Sequence, residues 1–65
     1  MTYWIRAKVT KRVFGIPTPF ISTENFRICS IFGEWGAKRK LKERLEKLYN
    51  TCESIDIEYI EIFNE

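Results

Sequence analysis

The residues that could carry chemistry in this chain are few. There is no histidine and a single aspartate, Asp56. Ser22, Ser30 and Ser54 have no base in their sequence surroundings to take a hydroxyl proton, so a serine nucleophile would lack its activating partner. Glu58 and Glu61 are three apart in a strand-like stretch, which turns them to opposite faces and spoils them as an acid–base pair. Cys29 and Cys52 sit in apolar patterns, where a thiol is inert. Two cysteines without histidine or C-x-x-C spacing supply too few soft ligands for zinc, and too few bridges for a disulfide scaffold. The expectation is two reduced core thiols, no metal, no cofactor and no enzymatic activity.

What is left is the chemistry of binding. Lys38, Arg39, Lys40 and Lys42 crowd the start of a predicted helix, where the macrodipole is already positive. No Ser, Thr, Asp or Asn stands ready as N-cap, so backbone N–H groups would be left free. Free amides and four cations suit phosphate, nucleic acid or an acidic protein patch. Arg44 and Lys47 extend this candidate anion surface, and Arg6, Lys8, Lys11 and Arg12 could add to it. The competing reading is a solvated basic face, which weighs somewhat more.

Charge is divided along the chain. Residues 1–50 hold all eleven Lys and Arg against Glu24, Glu34, Glu43 and Glu46, a net of +7. Residues 51–65 hold Glu53, Asp56, Glu58, Glu61 and Glu65, a net of −5. A sequence pI of about 8.7 falls short of the pI above 9 typical of nucleic-acid-binding domains.

The elements that must position these groups follow from periodicity. Residues 2–10 alternate, with Tyr3, Ile5, Ala7 and Val9 on one side, and read as a half-buried strand. Gly15, Pro17 and Pro19, then Ser22-Thr23-Glu24-Asn25, make 11–25 a connection. Residues 26–32 form a second strand. Gly33-Glu34-Trp35-Gly36 reads as a two-glycine turn. Helical spacing of Ala37, Leu41, Leu45, Leu48 and Cys52 predicts a helix over 37–52. Residues 55–63 form the last strand, with a parity switch near Tyr59 that suggests a bulge or a change of neighbour.

The order β-β-α-β, with no apolar run of membrane length, predicts one α+β domain over 1–65 in a cytoplasmic setting. Its mostly antiparallel sheet has strand order 2-1-3, and its helix packs on one face. Tyr3, Ile5, Ala7, Phe26, Ile28, Ile55 and Ile57 would face the helix. Trp4, Cys29, Ile31, Ile60 and Ile62 would gather on the opposite face, which is too apolar to meet water. Loop residues Phe14, Ile16 and Phe20 either fold back on the core or face a partner. Together Trp4, Phe14, Ile16, Phe20, Ile31, Ile60 and Ile62 make a candidate surface for a protein partner, with a two-fold homodimer the simplest version. The function expected is a small binding or regulatory protein acting by protein–protein contact. The alternative is a small nucleic-acid-binding protein using the basic helix start.

Overall fold

The computed structural model describes all residues from Met1 to Glu65. The elements are β1 (Thr2–Arg12), β2 (Phe20–Cys29), α1 (Gly33–Leu48) and β3 (Ser54–Asn64). Both outer strands pair antiparallel with β1, giving the sheet order β2-β1-β3. This is the small β-β-α-β fold that the hydrophobic pattern predicts. β1 takes the centre because its alternation is the most regular. Tyr3, Ile5, Ala7 and Val9 are all buried on the helix side, together with Ile28 of β2. Ala37, Leu41 and Leu45 of α1 close the core from above, and Phe26, Ile55, Ile57, Tyr59 and Ile62 pack around it.

α1 begins four residues before its predicted start and ends four before its predicted end. Gly33 opens it at φ 71°. Gly36, which reads as a helix breaker, is instead a buried helical residue. A Cβ at Gly36 would stand 2.7 Å from Phe32 Cβ and closer still to Ser30 Oγ. Only glycine lets the first turn lie so tightly on the strand it follows. At the other end the Tyr49 N–H still bonds Leu45 O at 2.9 Å, and Cys52 N bonds Tyr49 O at 3.0 Å in the turn that follows. Cys52 is thus outside the helix, and Leu48 is 65% exposed rather than covering the sheet.

β2 also differs from expectation. It starts at Phe20 and runs in unbroken register with β1, from Thr2↔Cys29 to Lys11↔Phe20. The turn-forming residues Ser22 to Asn25 are therefore in a strand. Ladder bonds to the long central strand outweigh their weak intrinsic preference for turns. The connection shrinks to residues 13–19, where Gly15 takes φ 80° and Ile16 N bonds Val13 O at 3.2 Å. Sixteen helical residues reach about 24 Å, whereas the eleven of β1 reach about 36 Å. The hairpin end thus projects past the helix. Phe14, Ile16 and Phe20 are exposed there and do not fold over the core.

Of the two explanations for the parity switch, the bulge is the one present in β3. Arg6 pairs with Glu61 and Ala7 with Tyr59, so Ile60 has no partner. Its effect is the reverse of the one expected. The extra residue compensates the parity switch in the sequence, and Ile62 returns to the helix side opposite Ile5. The far face of the sheet is accordingly polar in its middle, with Trp4, Phe63 and Ile21 exposed towards its ends. Its middle carries Arg6, Lys8 and Thr10 beside Glu61, Glu58 and Asp56 on one flank and Asn25 and Thr23 on the other. A mixed-charge face of this kind meets water without a cover. Cys29 lies on that face and is exposed, not in the core, and neither cysteine is bonded to the other.

Candidate functional site

The residues of the predicted partner surface do not converge. Phe14, Ile16 and Phe20 are at the hairpin end. Trp4 and Ile31 are at the opposite end, and Ile60 stands alone at the bulge. Ile62 is half-buried against the core and is not part of any outer surface.

A different cluster forms where β2 turns into α1. This connection is fixed from several sides. The Met1 ammonium donates to Ser30 O at 3.1 Å, and Ser30 N donates to Met1 O at 2.8 Å. The buried Ser30 hydroxyl accepts the Phe32 N–H at 3.1 Å, and no side chain caps the first helical amides. With the backbone pinned inward, the side chains turn out. Ile31, Phe32 and Trp35 are 84%, 71% and 65% exposed. Phe32, Trp35, Gly36, Arg39, Lys40 and Glu43 line a shallow hollow of about 350 Å³ beside them. The Arg39 guanidinium lies 5.4 Å from the Trp35 ring centre and is held by Glu43 at 3.2 Å. Aromatic rings with an arginine, rimmed by polar groups, are the composition of an interface anchor. In the sequence Phe32 and Trp35 carry no such signal, because they fall at a strand end and within a two-glycine turn.

On the far face at the same end, Trp4 and Phe63 are neighbours across the β1–β3 pair. Glu65 accepts the Trp4 indole N–H at 2.9 Å and two Arg27 N–H groups at 3.2 Å each. This hydrogen bonding from Arg27 holds the Glu65 carboxyl below its ordinary value and raises the guanidinium above its own.

The predicted anion surface is rearranged by the early helix start. Glu34, not a cation, occupies the first turn, where a negative charge suits the dipole. Lys38 pairs with Glu34 at 3.7 Å and lies 5.2 Å from the Tyr59 ring centre. Lys40 donates to Cys29 O at 2.6 Å. These cations sit beyond the free amides and are turned to internal partners. Lys42, Arg44 and Lys47 are exposed on later turns. On the sheet, Lys8 lies opposite Glu58 and Arg6 opposite Glu61, but the ion pairs within 4 Å are only Arg27–Glu65, Lys38–Glu34 and Arg39–Glu43.

Comparison with protein-family models, curated proteins and solved structures finds no match to this chain. No helix is long and apolar enough to cross a membrane.

Proposed function

We propose that the chain is a small binding protein that acts by protein–protein contact, with the end formed by Ile31, Phe32 and Trp35 as its docking surface. One observation carries this reading. Three large apolar side chains are exposed together on a connection whose backbone is already fixed by Ser30, Met1 and Gly36. Ordering a mobile loop on binding would cost free energy, and a fixed one avoids that cost. Exposing such side chains side by side brings a monomer no stability of its own. The cations of α1 favour a nucleic-acid partner less, because Lys38, Arg39 and Lys40 face partners within the chain.

The test is capture from lysate, with and without nuclease treatment, by the wild type and by an Ile31→Ser/Trp35→Ser variant with the same melting temperature. The expected result is a stoichiometric protein band retained by the wild type and lost by the variant. Capture that vanishes with nuclease, or that both proteins share equally, would overturn the proposal.

A further inference from the structure

We infer that the free edge of β3 accepts an extended cationic segment of another polypeptide, added antiparallel as a fourth strand beside α1. This surface is distinct from the apolar end described above, so the two proposals fail separately.

The backbone of the edge is open. Thr2 bonds Glu65 next to β3 while Met1 bonds Ser30 next to β2, so the even residues of β1 serve β3 and the odd ones serve β2. Strand alternation then makes Glu58 and Asp56, opposite Lys8 and Thr10, the β3 residues bonded to β1. Ile55 and Ile57 between them aim their N–H and C=O groups outward. An unpaired row of this kind is a template for strand addition.

The side chains give that row a preference. On the helix side, Ile55, Ile57 and Tyr59 are only half-buried. With Lys42, Glu46 and Asp56 they line a groove of about 270 Å³. Tyr59 closes one end of it, its hydroxyl donating to Lys38 O at 3.1 Å. On the far face, Asp56, Glu58 and Glu61 are exposed, and none has a cation within 4 Å. A strand laid along this edge would set every second side chain into the groove and the others beside the carboxylates. The segment that fits alternates apolar residues with Lys or Arg. The unpaired Ile60 breaks the edge, which limits pairing to about six residues, Ser54 to Tyr59. The edge of β2 lacks this complementarity. Its neighbouring charges are Glu24 and Arg27, and Lys40 already caps its Cys29 carbonyl.

The probe is a fluorescent eight-residue peptide of alternating lysine and valine, titrated against the full chain and followed by anisotropy. Amide hydrogen exchange read residue by residue by NMR locates the contact. Saturable binding is expected that weakens with salt. It should slow exchange at Ile55 and Ile57. An Asp56→Asn/Glu58→Gln variant should bind about threefold to tenfold more weakly, the size of lost cross-strand charge pairs. Absence of binding would overturn the inference. So would equal binding of a glutamate–valine peptide, or protection confined to Thr23 and Asn25 of β2, which would instead mark that strand as the pairing edge.

Discussion

Gly36 of α1 lies directly against the buried hydroxyl of Ser30, and no Cβ fits between them. The contact joins the end of β2 to the first turn of the helix and so sets how Ile31 and Phe32 are displayed. On helix propensity alone, Gly36→Ala should stabilise by about 1 kcal/mol. Overpacking against Ser30 and Phe32 opposes this with about 1–3 kcal/mol. Net destabilisation of up to about 2 kcal/mol is expected in chemical denaturation. Adding Ser30→Gly should recover part of it. A Gly36→Ala protein more stable than wild type would show that the first turn has room.

The helix holds the sheet through a short stripe. Leu41 and Leu45 are fully or almost fully buried, whereas Leu48 is largely exposed beyond the covered part of the sheet. Leu41→Ala and Leu45→Ala should each cost about 2–5 kcal/mol, enough to unfold much of so small a domain. Leu48→Ala should stay within about 0.5 kcal/mol. Thermal melts of the three variants compare them directly, and equal losses would mean that the stripe extends to Leu48.

The parts legible in the sequence were those where one periodicity acts over many residues. Strict alternation from Tyr3 to Val9 marks the central strand and its inner face. The spacing of Leu41 and Leu45 marks the helix and the side it buries. What was not legible depends on contacts between distant segments. Nothing local in Ser22 to Asn25 signals a strand, since their pairing comes from β1. Nothing local shows that Gly36 belongs inside a helix, since the reason is Ser30 across the connection. Reading Gly36 as a break moved the helix start four residues on. That put Lys38, Arg39 and Lys40 at free amides and hid Phe32 and Trp35. The residues that the sequence groups as one outer surface are dispersed for a related reason. The parity switch near Tyr59 is legible, but its consequence for Ile62 requires the register against Ile5, which only the assembled sheet supplies.

That register makes a sharp comparison. Ile60 is the unpaired bulge residue and half-exposed, while Ile62 packs on the core opposite Ile5. A lysine at Ile60 meets solvent and should change stability by no more than about 0.5 kcal/mol. A lysine at Ile62 must desolvate its charge or pull away from the core, at a cost of about 1–3 kcal/mol. Denaturant midpoints of Ile60→Lys and Ile62→Lys read the difference. The opposite ranking would place Ile60 inward and move the bulge.

The Arg27–Glu65–Trp4 cluster predicts a specific response to acid. Its folded-state effect is a lowered carboxyl pKa at Glu65, caused first by the hydrogen bonds from Arg27. A carboxyl whose folded value lies below its unfolded value stabilises the fold above the unfolded value, near 4.3 for glutamate. That contribution fades as pH falls through the lower folded value. The groups are exposed, so the effect is small and screened by salt. Other carboxylates titrate in the same range, and the comparison must therefore be with a variant. Arg27→Gln should melt slightly below wild type at pH 7 and low salt. The gap should narrow as pH falls below the ordinary carboxylate range, since protonated Glu65 no longer distinguishes the two proteins. Raising salt at pH 7 should also narrow it. A gap that stays constant from pH 7 to pH 2 would mean that Arg27 contributes by packing its stem over Trp4, whose ring centre lies 5.9 Å from the guanidinium, and not through its charge.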